Sequence, residues 1–578
     1  MNIAQCRRWS REVAIAALAV FACAPLAAVA QSEAAGELKN VAVIAGAPYE
    51  KLIGDITFLG SLGGKPELGQ MVEGGLAFFT QGKGSAALDK KQAWGLIVQT
   101  DGGNFLPVGC LPVTKPQDLL DVAKAYGAEI KDGEGGTKEI KLPNNSRSVF
   151  VKIEDGMAFI SMSPASLGKL PANPKQQLTK MVGEYDITVH ASVKNIPEMY
   201  RQFALNAMQA GVQQGMKKNE DETDEQYEQR QKMTEAQMAQ MSRMVNEIDA
   251  LTIGWAVDSK QARTYADFTY TFIAGSKMAK QMAAYSSPKT NFAGFFDTDA
   301  AATLSFAAKG DPSLMAEDMA QLEANLAAAK QQMNGEIDKK VNDEEAREAL
   351  KSAMSDWFDA FTATVKTGEM DGGAALHLAA ESLTFVAGAH IEDTAKIESG
   401  LKKLEEAAKK SPNFPGIEWN AAEHAGVKFH TMKIPVPESE AGPRKLLGEE
   451  LNVAIGIGSD AVYLAVGEEN LKSVNEAIDD SAKEKGKSVP PFEFALSLAP
   501  IMETAAAQAE KSEQKEICEK VAEFLKNNAQ GRDHVRAVGQ IVPNGLKYHF
   551  EAEEGVLKAI GTAAQAAQQQ KMQAQQQQ

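Results

Sequence analysis

Two stretches of this chain lie over each other without a gap: SVFVKIEDGMAFISMSPASLGKL at 148–170 and NVAIGIGSDAVYLAVGEENLKSV at 452–474, an offset of 304 residues. Val149 falls on Val453, Ile153 on Ile457, Phe159 on Tyr463 and Leu167 on Leu471. Identity is low, but the shared pattern is specific: apolar alternation, a short turn, alternation again, then a helix start. Alternation of period two is the mark of a strand with two different faces. A repeat this long excludes short solenoids and dictates two bodies of one plan.

Further pieces recur in the same order. AWGLIVQTDGGNFLPVGC (93–110) pairs with AALHLAAESLTFVAGA (374–389), each a strand, a tight turn and a strand. Asp101-Gly102-Gly103-Asn104 supplies hairpin chemistry in the first of them. Helices are predicted after each, over 116–126 and 394–409. DITVHASVKNIPEMY (186–200) then matches FEFALSLAPIMET (492–504), and KQARTYADFTY (260–270) matches PNGLKYHFEAE (543–553), which sets Tyr265 beside Tyr548. VAVIAGAP (41–48) matches ATLSFAAKGDP (302–312) more loosely. Hairpins mixed with amphipathic helices indicate an α+β class. The expected architecture is a tandem duplication, 41–286 and 287–562, jointed at SSPKT (286–290). Helical excursions at 197–248 and 312–366 are expected at different points of the two copies. A disordered Gln/Ala-rich tail is expected over 563–578.

The first thirty residues read as a signal peptide rather than as part of the fold. Arg7, Arg8 and Arg11 form a basic head, Val13 to Ala24 is a short apolar run, and Ala28-Val29-Ala30 is a cleavage site before Gln31. The chain is therefore expected to be exported, periplasmic or secreted. Alternatives are a twin-arginine signal at Arg7-Arg8 and a lipoprotein anchored through Cys23. No later apolar run reaches the eighteen or so residues of a transmembrane helix. Loss of Arg7, Arg8, Arg11 and Glu12 takes the net charge from −17 to −19. A surface this acidic repels nucleic acid. Cys110 and Cys518 remain, in non-equivalent places of the two copies, and are expected to be two buried thiols rather than a bridge.

Each motif that suggests chemistry meets a plainer reading. Gly456, Gly458 and Ala461 outline a dinucleotide turn, but the first copy holds Lys152, Glu154 and Met157 in their places. Such a turn needs its glycines at a helix N-terminus, whereas here the chain continues as strand to about Glu468. Ser459-Asp460, like Asp155-Gly156, is predicted to be a hairpin bend. Asn219, Asp221 and Thr223 occupy calcium-loop places, yet Asp224 stands where glycine is needed and Arg230 where a bidentate glutamate is needed. Met238, Met241 and Met244 offer thioethers for Cu(I), but Met238, Met241, Val245 and Ile248 also make a core-facing stripe. Ser166 to Lys169 and Ser399 to Lys402 spell S-x-x-K and Lys366-Thr367-Gly368 spells K-T-G, without the middle element and in the wrong order for a serine acyl enzyme. His424 and His430, with Glu423, lie about 20 Å apart on one strand at about 3.3 Å per residue. They become neighbours only if Ala425-Gly426 turns the chain back, and zinc needs a third ligand. His390 and Cys110 fall in separate copies.

No catalytic residue, cofactor-binding residue or metal ligand is assigned from these patterns. In layout the chain resembles uncharacterised exported bacterial envelope proteins with a duplicated α+β body, a resemblance that implies location and no activity. The expected function is a non-enzymatic binding or scaffold protein of the bacterial envelope, its partner a protein, a lipid or a glycan. A hydrolase or transferase with a dispersed site and a metal-handling protein using the methionine helix are the alternatives. Expressed in a Gram-negative host, the exported protein should have an intact mass beginning at Gln31; a lipidated N-terminal Cys23 would mark the lipoprotein instead.

Overall fold

A computed structural model describes residues 37–576 apart from 81, 84, 144–146, 219–222, 286–287, 311, 410–413 and 530. The expected signal peptide, with its cleavage site and Cys23, lies outside the described residues. The chain divides into two compact units. Unit 1 holds the residues up to Asn206 with Ile248–Tyr270, and unit 2 holds Ala207–Glu247 with the residues from Thr271 onward. Among the described residues no helix is long and apolar enough to cross a membrane.

Unit 1 is built on strands β1 (Lys39–Gly46), β2 (Trp94–Thr100), β3 (Phe105–Pro112), β4 (Glu129–Asp132), β5 (Thr137–Lys141), β6 (Ser148–Glu154), β7 (Met157–Ser161), β8 (Ile187–Ser192), β9 (Ile248–Asp258) and β10 (Arg263–Phe272). Across the sheet they run β4–β5–β6–β7–β3–β2–β1–β8–β9–β10 in antiparallel pairing. The turns are made as their residues dictate. The Asp101 carboxylate accepts the N–H groups of Gly103 and Asn104 at 3.2 and 2.9 Å. Asp155 and Gly156 take the positive φ that a two-residue hairpin needs. Helices α1 (Tyr49–Leu62) and α2 (Leu68–Phe79) form a pair between β1 and β2, and α3 (Pro116–Ala125) follows β3. On the first face of the sheet, Val43, Ile97, Val108 and Phe159 are sealed by Leu167 of α4 (Pro164–Gly168) and Leu178 of α5 (Pro174–Met181). In the sequence a second helix pair, α6 (Glu198–Gly215) and α7 (Asp224–Glu247), separates β8 from β9, and α8 (Lys277–Ala284) follows β10; α7, α8 and the part of α6 beyond Asn206 belong to unit 2.

Unit 2 has β11 (Ala302–Lys309), β12 (Glu369–Ala379), β13 (Ser382–His390), β14 (Glu418–His424), β15 (Val427–Pro435), β16 (Glu450–Ile457), β17 (Ala461–Gly467), β18 (Phe492–Ser497), β19 (His534–Val542) and β20 (Gly545–Glu553). Their order is β14–β15–β16–β17–β13–β12–β11–β18–β19–β20, which matches that of unit 1 place for place. Cross-strand register agrees as well. On the second face, Ile160, Gly109, Leu96, Ile44, Val189 and Ile253 form one row in unit 1. Leu464, Ala387, Ala374, Leu304, Phe494 and Ala537 form the corresponding row in unit 2.

The unit 2 helices are α9 (Pro312–Lys340), α10 (Glu344–Lys366), α11 (Thr394–Ala408), α12 (Ala441–Leu447), α13 (Asn470–Lys483), α14 (Leu498–Gln508), α15 (Ser512–Asn528) and α16 (Glu554–Gln576). The first face is closed by Val474 and Ile478 of α13 and by Phe292 and Phe295. Those rings lie where the sheet has no side chains. A Cβ on Gly388 would meet Phe292 at 2.9 Å and Phe295 at 3.0 Å, and a Cβ on Gly456 would meet the Phe429 ring at 2.6 Å. The segment that delivers the rings is pinned by Asp371, which accepts from the Thr290 hydroxyl at 2.6 Å and from the Asn291 N–H at 2.7 Å.

Several expectations are refined. Lys289–Thr290, in the expected joint, forms a short ladder with Lys487–Ser488 inside unit 2, and Thr290 is buried. The two long helical excursions stand where expected, α6–α7 within 197–248 and α9–α10 within 312–366, but they are not alone: shorter pairs, α1–α2 and α14–α15, stand at the matching points of the other strand set. The segment from 563 to 576 is helix, since alanine and glutamine favour helix, Ala566 is buried and Gln570 bonds to Glu513 and Glu516. Met241 is exposed on α7, which packs on α9 along one side, and Ile248 belongs to β9.

Gly456→Val should destabilise unit 2 by about 1–3 kcal/mol, the usual cost of overpacking a rigid core, as read by urea unfolding. Gly335→Ala, on α9 where an added Cβ meets nothing within 4 Å, should instead be neutral or stabilise by up to about 1 kcal/mol.

Candidate functional site

The second face of the unit 2 sheet is roofed at one end by α11. Its start is capped by the Asp393 carboxylate, which accepts from the Lys396 N–H. Its outer side is locked to α10: the Trp357 indole N–H donates to the Ile397 carbonyl at 3.2 Å, and a Cβ on Gly400 would meet that indole at 2.3 Å. Asp356 takes Lys403 at 2.6 Å and the Ser399 hydroxyl at 2.8 Å. The inner side of α11 carries Leu401, Leu404 and Ala408, spaced three and four apart so that they share one face.

Beneath them lie β15 and β16, where His430 pairs with Ile455 and Met432 with Val453. Hairpin β14–β15 closes through Ala425 and Gly426, both at positive φ. The ladder slips between Glu418 and Ala422, and Asn420 sits there at φ 53°. That irregularity turns the Asn420 N–H onto His430 Nδ1 at 3.1 Å. Trp419 packs on the imidazole with centroids 4.5 Å apart and donates its indole N–H to Glu405 at 2.9 Å.

Between α11 and the sheet a cavity of about 140 Å³ remains, walled by Leu401, Leu404, Phe414, Ile417, Met432 and Ile455, with His430 and Glu405 at its edge. His430 is 4% exposed, and its Nε2 is buried with no partner among the described residues. Because Nδ1 accepts a hydrogen bond, the neutral ring carries its proton on Nε2. Burial pushes the imidazole below its ordinary range, Glu398 opposes that, and Lys402 and Lys428 add to it. The site thus offers almost wholly apolar walls, with the His430 Nε2–H buried beside them. The ring keeps no free lone pair in this geometry, so it does not take a proton from a nucleophile. A larger groove of about 310 Å³ between α15 and α16 is open and polar, edged by Lys520, Glu523 and Gln569 among others.

The corresponding region of unit 1 holds an apolar cluster. Leu120 of α3 packs with Ile140 and Val151, and Leu119, Ala123 and Ile130 complete the cluster. Lys138 faces Val151 there as His430 faces Ile455, and it reaches out to Asp132 at 2.6 Å.

The residues singled out by motif are dispersed. Gly456 and Gly458 belong to the β16–β17 hairpin, where the Gly458 N–H bonds the Ala461 carbonyl at 2.9 Å. Ser166 is fully buried in α4, and Lys169 binds Asp101. Ser399 is held by Asp356, while Lys366, preceding Thr367 and Gly368, pairs with Glu323. The turn at Ala425-Gly426 does fold the chain back, but it leaves His424 at the hairpin tip on Asp479 at 2.8 Å, away from the buried His430. His390 bonds the Asp460 carbonyl. Cys110 and Cys518 are both free thiols; Cys110 is buried, its thiol pushed up to about 12 by burial, and Cys518 is partly exposed. Of the calcium-like loop, 219–222 lie outside the described residues, Asp224 pairs with Lys218, and Arg230 donates to the Lys217 carbonyl. Among the described residues no three His, Cys, Asp or Glu side chains are grouped to hold a metal. Sequence reasoning weighed His430 as a zinc ligand and did not see the cavity; the apolar spacing of Leu401, Leu404 and Ala408 was the available signal.

Comparison of the chain with protein-family models, with curated proteins and with solved structures returns no match.

The His430 shift has a measurable sign. Its folded pKa lies below the unfolded value of about 6.5, so on acidification the unfolded chain takes up the proton first. Stability from this group is whole above that value and is lost as the pH falls through the folded pKa. Between pH 7 and pH 5, His430→Leu should therefore lose less stability than the wild type, measured by urea unfolding at each pH; His190 in unit 1, also lowered by burial, is common to both proteins.

Proposed function

We propose that this chain is an exported, non-enzymatic binding protein of the bacterial envelope whose ligand is apolar and occupies the cavity under α11. The observation that carries this reading is the cavity itself, apolar on nearly every wall that the described residues make. Its volume is close to that of an engineered cavity of about 150 Å³ lined by Leu, Ile and Phe, which stays dry and takes up benzene. Glu405 is engaged by Trp419, and His430 spends its Nδ1 lone pair on a backbone N–H, so the wall supplies recognition rather than acid–base chemistry. Supporting the same reading is the second face of unit 1, where Ile44, Val189 and Ile253 stand in one row at 37%, 36% and 51% exposure. Neighbouring exposed apolar side chains of this kind mark binding surfaces.

We also read the two units as copies of one duplicated body. The reading rests on the common strand order, the common register row and the helix pairs at equivalent points. In it the two copies have diverged at one place, the first filling the space beneath its helix and the second keeping it open.

Titration with toluene should give saturable changes in the NMR spectrum centred on α11, β15 and β16, and Ala408→Phe, which fills the cavity from the roof, should abolish them while the protein stays folded. A wild-type spectrum that does not respond to toluene up to its solubility limit would sink the reading.

A further inference from the structure

Helices α15 and α16 run antiparallel and are pinned to each other at both ends. At one end the Gly555 N–H donates to the Arg532 carbonyl at 2.7 Å, and a Cβ on Gly555 would stand 2.5 Å from that same oxygen, so glycine is what lets the start of α16 come this close. At the other end the Gln570 amide donates to the Glu513 carbonyl at 3.0 Å and to the Glu516 carboxylate at 3.2 Å. Between the pins Val521, Leu525 and Ala559 join the helices in one apolar cluster. The groove of about 310 Å³ that these helices wall is therefore held open by fixed neighbours. Its volume falls at the lower end of the range of about 300–1,000 Å³ typical of ligand sites. The lining has two characters. Ala566 is buried and Phe524 half-buried against the cluster, which sets them at the bottom. Glu523 and Asn527 on α15, and Gln565 and Gln569 on α16, are exposed and form the rims. Each of these pairs is spaced four apart and so stands on one side of its helix. Lys520 also lines the groove, but its ammonium is held by Glu516 at 2.7 Å. An anion entering the groove would thus meet the Glu523 carboxylate beside a cation already neutralised. A side-chain amide offers a donor next to an acceptor, and an ionised carboxylate accepts with both oxygens. Neighbouring hydroxyl groups, each able to donate and to accept, present the complementary set.

We infer that the groove between α15 and α16 is a second binding site, and that its ligand is an uncharged sugar in its ring form. The ring hydroxyls bond to Glu523 and Asn527 on one rim and to Gln565 and Gln569 on the other, and the carbon face of the ring lies toward Phe524 and Ala566. The wall on the α16 side is made by the Gln/Ala-rich segment, whose alanines bring the two helices close and whose glutamines supply the polar edge. This site is separate from the apolar cavity under α11, and the inference does not rest on that cavity.

Methyl β-D-glucoside and sorbitol test the assignment, since both carry neighbouring hydroxyls and only the glucoside presents a ring face. In an NMR titration of the wild type, the side-chain amides of Asn527, Gln565 and Gln569 should shift saturably with the glucoside, and sorbitol should bind several-fold more weakly. Asn527→Ala and Gln565→Ala remove exposed side chains and leave the apolar seam intact. Each should weaken the glucoside about two- to tenfold, the usual worth of one neutral hydrogen bond, and the double variant should lose measurable binding. Gln117→Ala, which removes an exposed amide on α3 of unit 1, should leave the affinity unchanged. A wild type that does not respond to the glucoside, sorbitol bound as tightly as the glucoside, or a double variant that binds undiminished would each overturn the site. None of these results bears on the apolar cavity, which toluene tests separately.

Discussion

The second unit depends on rings seated where its strands have no side chains. Gly373, Gly388 and Gly456 leave hollows on the first face, and Phe292, Phe295 and Phe429 fill them. Close packing of this kind tolerates little change in volume. Once these rings and α13 have sealed the first face, the polar and spatial freedom of the unit lies on the second. There α11 covers the end formed by β15 and β16, and the cavity lies between helix and strands. A helix spaced for the sheet by Trp357 and Gly400 cannot settle onto it residue by residue.

Much of this plan was legible in the sequence, for physical reasons. Hairpins declare themselves through period-two alternation and through turn residues such as Asp101-Gly102-Gly103 and Asp155-Gly156, so the pairs at 148–170 and 452–474 could be matched. The same comparison removed the apparent dinucleotide turn at Gly456 and Gly458. Helix pairs were harder to match, because lengths differ greatly between equivalent pairs and helical spacing carries no register. The short pair α1–α2 therefore escaped comparison with α9–α10. The cavity depended on a backbone event that sequence does not announce. Asn420 adopts a left-handed conformation inside a strand, and only that turns a main-chain N–H toward His430. Without it, His430 and His424 looked like two histidines of one strand.

Units 1 and 2 also show how one frame can be finished in two ways. Beneath α3, Leu120, Ile140 and Val151 pack together, and the register place of interest carries Lys138, which reaches out to Asp132. Beneath α11, the same place carries the buried imidazole of His430, beside a cavity. The difference needs no change of topology. It is made by side-chain size at a few positions and by one slipped rung in the β14–β15 ladder.

The grip of Trp357 on Gly400 has a consequence for time rather than for affinity. Because α11 is clasped along its outer side by α10, it is a fixed roof and not a hinged door. If the cavity takes up a ligand, loosening that seam would let the roof move and would shorten the stay of every occupant alike, without altering which occupant is preferred.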